Sequence, residues 1–231
     1  MRKKLVVLTG AGISAESGIP TFRGSDGLWE GHRVEDVASP AGWRKNPGHV
    51  LEFYNQRRRK ALEVQPNEGH RHLVALEQDF DVTIITQNID TLHEQAGSSH
   101  VIHLHGLITQ SRSTIDPSLI YEIDGWELKL GDRCEKGSQL RPNIVWFGEA
   151  VPMIDTAVEI TETADLFVVV GTSLLVYPAA GLIHVPAASV PKYIVDPQVP
   201  DTSGIPNITA IPEIASQGLK QLRTLLGCIT T

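Results

Sequence analysis

The sequence predicts an α/β protein built on a largely parallel sheet, with a small inserted lobe in its middle third. Three observations carry this. Short apolar runs of strand length (5–8, 82–86, 101–104, 165–170, 192–195) alternate with stretches of helical period. Four of these runs end in small polar residues, at 9–12, 87–90, 105–106 and 171–173. The stretch 107–142 breaks the alternation, being polar and rich in turn residues.

Composition bounds the rest. A chain of 231 residues, 41% hydrophobic and 20% charged, can bury one full core. The net charge of −7 argues against generic nucleic-acid binding, which needs a basic face. No apolar run nears the roughly 18 residues of a membrane span. MRKKLVVLTG leads straight into a glycine turn, and its apolar run is too short for a signal-peptide core. Cys134 and Cys228 are far apart and give no disulfide framework. A cytoplasmic protein that binds neither nucleic acid nor membrane is expected, with oligomeric state left open.

In chain order, residues 5–8 read as a buried strand that turns sharply at Gly10 and Gly12. A helix starting near Ala11 would aim free N–H groups at an anion such as a pyrophosphate. Gly10-Ala11-Gly12 with Ala15 is thus half of a dinucleotide fingerprint, although an ordinary tight turn would use the same glycines. Ser17-Gly18-Ile19-Pro20 ends that helix early. Residues 25–40 show no period and read as a long ordered loop. Residues 47–64 place Val50, Phe53, Tyr54, Arg57 and Ala61 on one helical face. Pro66-Asn67 precedes a second helix at 68–78, and strands follow at 82–86 and 101–104. After the polar lobe, 143–147 is a strand, 152–163 a helix, and 165–170 the most apolar strand. Short strands at 192–195 and 208–211 and an amphipathic helix at 214–226 close the chain. In parallel sheets ligands sit beyond the carboxyl ends of the strands. Four polar clusters on one edge favour a shared crevice over four ordinary strand caps.

With those clusters in view, the chain resembles the sirtuins, NAD-dependent protein lysine deacylases. The matching motifs are GAGISAESGIPTFRG at 10–24, TQNID at 86–90, HLHG at 103–106, VWFGE at 145–149 and GTS at 171–173, in family order. Asp26-Gly27-Leu28-Trp29 and the Phe53-Tyr54 helix are similar to the bacterial class III, desuccinylase-type group. The resemblance implies a single deacylase domain: a Rossmann-like lobe (about 1–106 and 143–231) with helices on both sheet faces, and a small lobe (about 107–142, with part of 30–66). It implies NAD as a consumed co-substrate. The acyl-lysine amide oxygen attacks the ribose carbon bearing nicotinamide, and His105 is general base on a ribose hydroxyl. Acetyl and succinyl or malonyl groups leave as O-acyl-ADP-ribose, with nicotinamide and free lysine.

Residue by residue, the resemblance places NAD against Gly10, Ala11, Gly12, Ile13, Ser14, Ala15, Gly18, Thr21, Phe22, Arg23 and Trp29. Gln87, Asn88, Ile89 and Asp90 complete the nicotinamide-ribose end, with Asn88 and Asp90 catalytic beside His105. Imidazole titrates near neutrality, which suits a base; His103, two residues back, reads as structural. Carboxamides and a carboxylate suit ribose hydroxyls, while Asp90 would equally cap a helix. Gly171, Thr172, Ser173, Asp196 and Ala215 fall on the adenosine side. The family usually has Asn where this chain has Asp196, and a carboxylate there favours NAD over NADP.

Substrate is expected at Val145, Trp146, Phe147, Gly148 and Glu149, as a strand-like platform pairing with peptide backbone. Tyr54 and Arg57, at i and i+3, share a helix face. By themselves they read as core residue and solvated basic run (Arg57-Arg58-Arg59-Lys60). Within the resemblance they read an acyl carboxylate. Most sirtuins hold a structural zinc with four cysteines in the small lobe. This lobe has only Cys134, with Ser113 near the first ligand position, so no zinc is expected. Packing of Ile115, Leu119, Tyr121, Trp126 and Leu128 is expected to hold it instead. The alternatives are protein mono-ADP-ribosylation and a non-enzymatic NAD-binding module. A hydride-transferring dehydrogenase is disfavoured, because the third fingerprint glycine and the acid after a second strand are missing.

Overall fold

The computed structural model describes residues 2–21 and 28–230. The chain opens with β1 (Lys4–Thr9) and a 3-10 helix (Ala11–Ser17), followed by a hairpin of β2 (Leu28–Trp29) and β3 (His32–Arg33). Four helices come next: α1 (Val34–Val37), α2 (Pro40–Lys45), α3 (Pro47–Glu63) and α4 (Glu68–Leu76). Then β4 (Asp81–Thr86), α5 (Leu92–Ala96), β5 (Val101–His103), β6 (Gly106–Ser113), β7 (Ile120–Glu122) and β8 (Leu140–Ile144) lead into α6 (Ile154–Glu162). The chain finishes with β9 (Leu166–Val170), a 3-10 helix (Ala179–His184), β10 (Lys192–Val195), β11 (Ile208–Ile211) and α7 (Ala215–Thr230).

Six of the strands form one parallel sheet in the order β11-β10-β9-β1-β4-β5. Alternation along β1 splits its side chains between two cores. Leu5 and Val7 pack with Leu73, Leu219 and Leu222 from α4 and α7, whereas Val6 and Leu8 pack with Ala157, Leu182 and Ile183 on the other face. This is the Rossmann-like architecture with helices on both faces. The chain moves outward from β1 through β4 to β5, then returns to β9 and moves the other way. The reversal opens a crevice at the carboxyl ends of β1 and β9.

A third apolar cluster joins α1, α3, β6, β8 and Trp146: Val37, Val50, Phe53, Tyr54, Ile108 and Ile144. Arg58 lies beneath it, fully buried, donating to the carbonyls of Ile108 (2.5 Å) and Trp126 (2.8 Å) and to Asn55 Oδ1 (2.8 Å). Part of the basic run on α3 is therefore an internal brace, not a solvated face. Sequence periodicity cannot separate the two, because the partners of Arg58 are backbone carbonyls from distant segments.

Several expectations are corrected. Residues 28–37 are a hairpin and a short helix rather than a loop. The polar lobe contains an antiparallel sheet, β7-β6-β8, and its last strand ends at Ile144 rather than at 147. α2 and α5 are too short to show a period. Packing is uneven in the outer lobe: Leu128 is buried and Leu119 and Tyr121 are partly buried, whereas Ile115 is 65% exposed and Trp126 38%. Hydrogen bonds supplement it. Ser113 Oγ accepts from the N–H groups of Ile115 and Asp116 and from Cys134 Sγ (3.3 Å), and Thr114 meets Ser138.

Candidate active site

Strand ends build the site. Beyond β1 the backbone is stitched to β9: Gly10 N–H donates to the Val170 carbonyl (3.0 Å) and Gly12 N–H to that of Gly171 (2.8 Å). A Cβ on Gly12 would sit 2.6 Å from Gly171 Cα, so only glycine permits this closeness. The expected fan of free helix N–H groups is thereby reduced, since Gly10, Gly12 and Ile13 donate to backbone and the helix is 3-10. Gln87, at the end of β4, donates through its backbone to Thr9 (2.9 Å) and through Nε2 to Thr172 Oγ1 (3.1 Å), tying three strand ends together.

His105 follows β5. Its Nδ1 is 2.9 Å from the Gln87 carbonyl, which can only accept, so Nδ1 carries the proton and Nε2 is the basic nitrogen. Burial holds the ring below its ordinary pKa, opposed by the Gln87 hydrogen bond. Gly106 makes this position possible: at φ 81° a Cβ would lie 2.0 Å from the Asn143 carbonyl. In His103 both nitrogens face acceptors, the Asn88 carbonyl (3.0 Å) and Glu94 Oε1 (2.6 Å), which leaves neither free as a base. Beside His105, Asn88 Nδ2 donates to Ser14 Oγ (3.1 Å), and Ser14 donates to Asp90 Oδ2 (3.0 Å). Asp90 Oδ1 accepts the Leu92 N–H (3.1 Å) from one residue before Thr91, and Thr91 rather than Asp90 is the N-cap of α5. Burial pushes the Asp90 carboxyl up against these hydrogen bonds.

Gln87, Asn88, Asp90 and His105 line one pocket of about 860 Å³, near the upper end for ligand sites. Of the expected residues it brings together Gly10, Ala11, Gly12, Ala15, Thr21, Trp29, Gln87, Asn88, Ile89, Asp90 and His105. Gly171, Thr172, Ser173, Asp196 and Ala215 line the same space, as do Tyr54, Arg57 and the segment 145–149. Three do not line it: Ile13 is buried in the sheet core, Ser14 sits behind Asn88 and Asp90, and Gly18 is the left-handed cap of the 3-10 helix. Phe22 and Arg23 lie outside the described residues.

A scan of family models matches residues 10–178 to the Sir2 family. The chain belongs to the Sir2 family. It is 53% identical over 229 residues to an NAD-dependent protein deacylase of Bacteroides thetaiotaomicron, covering 97% of this chain and 98% of that one. It is 52% identical over 222 residues to an NAD-dependent protein deacylase of Helicobacter pylori, covering 95% and 96%. The crystal structure of a Sir2 homolog–NAD complex aligns with TM-score 0.87 at 38% identity, over all of this chain and 91% of the other.

In this Sir2-family chain the segment 145–149 is a turn, not a strand. The N–H groups of Val145 and Phe147 are already taken by the carbonyls of His105 and Ala38 (3.0 Å each). Trp146 is buried, donates through Nε1 to the Tyr54 hydroxyl (3.1 Å), and lies under the Arg141 guanidinium. Glu149 accepts from Arg141 (2.7 Å) and Arg112 (3.2 Å) and from the Trp146 N–H (2.8 Å). Sequence reasoning missed both arginines, which lie in the polar lobe. It also missed Glu16, a lining residue whose Oε1 accepts the Ser216 N–H at the start of α7 (2.9 Å). Glu16 sits inside the GAGISAES motif, and only the fold shows what it meets. Glu30 and Lys60 also line the pocket.

Behind the site His70 and His93 are buried 4.9 Å apart, with His93 Nε2 3.0 Å from Thr9 Oγ1. Burial pushes His70 down to about 4, and His93 well below the ordinary range. The folded state therefore keeps both neutral while the unfolded chain binds protons below about pH 6.5. Their contribution is fully present above that pH and is lost as pH falls toward 4. For His70 alone the loss is about 3 kcal/mol. Thermal melts from pH 7 to 4 are expected to show a steep fall in Tm that flattens in His70→Gln; an unchanged slope would refute it.

Proposed function

We propose that this protein is an NAD-dependent protein lysine deacylase that takes acetyl groups and, through Arg57, succinyl and malonyl groups. One observation carries the reading: His105, with Nδ1 committed to Gln87, lines the same pocket as the β1–β9 crevice and the Tyr54–Arg57 helix face. The pocket fits a dinucleotide. Its floor is glycine backbone packed too closely for a Cβ, and Asp196 offers ribose hydroxyls an acceptor at the far end. When bound, NAD supplies an electrophilic ribose carbon to the acyl oxygen. The chain's own work is to orient and to move a proton. Asn88 and Asp90, linked through Ser14, offer polar groups to the ribose and nicotinamide end, and His105 Nε2 takes a ribose hydroxyl proton. Tyr54 accepts from Trp146 and keeps its own O–H to donate to an acyl carboxylate, while Arg57 faces that carboxylate with its charge. The segment 145–149, braced by Glu149, receives the peptide.

The large and small lobes divide near 106 and 143, with α3 contributing to the small one. We infer that the small lobe holds no structural zinc. Among the described residues no group of three or more His, Cys, Asp or Glu side chains is placed to hold a metal ion, and Cys134 is engaged with Ser113. Metal analysis of the purified protein is expected to find no stoichiometric zinc; about one equivalent would overturn this. No helix among the described residues is long and apolar enough to cross a membrane. The free, buried Cys134 thiol supports the cytoplasm as its compartment.

The deciding experiment incubates the protein and NAD with matched acetyl-, succinyl- and malonyl-lysine peptides and reads products by mass. Free lysine with O-acyl-ADP-ribose is expected. Mass added to the protein or peptide would mean ADP-ribosyl transfer, and no product would mean a binding module.

A further inference from the structure

Arg57 is already partnered by an acid of its own chain. Glu30 stands at the tip of the β2–β3 hairpin, its Oε2 2.5 Å from Arg57 Nη1. The guanidinium lies 4.1 Å from the Trp29 ring centroid and 4.9 Å from that of Phe53, and its side chain is 9% exposed. Burial holds a cation there at a cost, which a nearby anion offsets. The closest approach is between one guanidinium nitrogen, Nη1, and one carboxylate oxygen, Oε2. Glu30 is the more exposed member, with 34% of its side chain accessible against 9% for Arg57, so it can turn to water when another anion takes its place on the guanidinium. Its backbone is at φ 49°, a left-handed conformation that a β-hairpin tip gives more readily to Asn or Gly. The position thus carries a carboxylate where turn chemistry favours another residue. Both partners line the pocket.

We infer that Glu30 is a built-in stand-in for the acyl carboxylate: it occupies Arg57 until an acidic acyl group displaces it, and so sets how strongly acidic acyl-lysines are preferred. This rests on the proposed role of Arg57. A succinyl or malonyl carboxylate can take the planar fork through two nitrogens. Two carboxylates beside one guanidinium repel, so the better-seated one stays. A neutral acetyl group leaves Glu30 in place.

The test measures kcat and KM of wild type, Glu30→Gln, Glu30→Asp and Arg57→Met on matched succinyl- and acetyl-lysine peptides at saturating NAD. Glu30→Gln is expected to raise the succinyl-to-acetyl ratio of kcat/KM about threefold to tenfold, mainly by lowering the succinyl KM. Glu30→Asp, which keeps the charge, is expected to stay near wild type. A ratio that is unchanged or lower in Glu30→Gln, with wild-type Tm, overturns the inference and makes Glu30 a support that holds Arg57 in place. Arg57→Met separates the two levels. If it leaves the ratio untouched, the role of Arg57 fails and Glu30 has nothing to gate. If it collapses the ratio while Glu30→Gln does not raise it, only the inference about Glu30 fails.

Discussion

Replacing His105 by alanine is expected to lower kcat/KM for acyl-peptide turnover about a thousandfold with little change in Tm, as loss of a general base does. The structure gives that base one orientation. Nδ1 is held by the Gln87 carbonyl, so the lone pair is on Nε2, and His103 cannot take over because both of its nitrogens face acceptors. Burial lowers the His105 pKa, and a base works only when neutral. The acid limb of kcat/KM in the wild-type protein is therefore expected below the ordinary imidazole value of about 6.5. Turnover unchanged in His105→Ala would remove His105 from the reaction and revive the non-enzymatic reading.

Arg57→Met is expected to cost desuccinylation about thirtyfold more than deacetylation, read as the ratio of kcat/KM on matched peptides. Methionine keeps apolar contact with Trp29 and Phe53 but removes the fork and the charge, and the half-exposed Glu30 can turn to water. An acetyl group has no carboxylate to lose a partner. Equal losses on both peptides would assign Arg57 to the structure of α3 and end the claim of acyl selectivity.

Most of the large sheet was legible in the sequence because its strands are buried on both faces. Runs such as LVVL at 5–8 and LFVVV at 166–170 have few other uses, and a parallel sheet must then place their polar ends on one edge. The small lobe was not legible. β6 and β7 are part-buried, polar strands, whose register is set by the pairing of β6 with β7 and β8 and by Ser113, not by an apolar stripe. Arg58 shows the same limit on a helix: its neighbours Arg57, Arg59 and Lys60 share its chemistry, and only distant carbonyls decide that Arg58 alone is fully buried.

The sequence by itself determined the family and the strand ends that meet at the crevice, while the choice of His105 over His103 as the base came from the resemblance, by its place before Gly106. The strand ends follow from residue type and spacing along single elements. Tertiary structure alone decided that Gly10 and Gly12 give their N–H groups to β9, that residues 145–149 form a braced turn, and that Arg57 already has a carboxylate partner. Each depends on segments distant in sequence, up to 160 residues between Gly10 and Val170, meeting in space, where hydrogen-bond direction and burial, rather than local pattern, set the outcome.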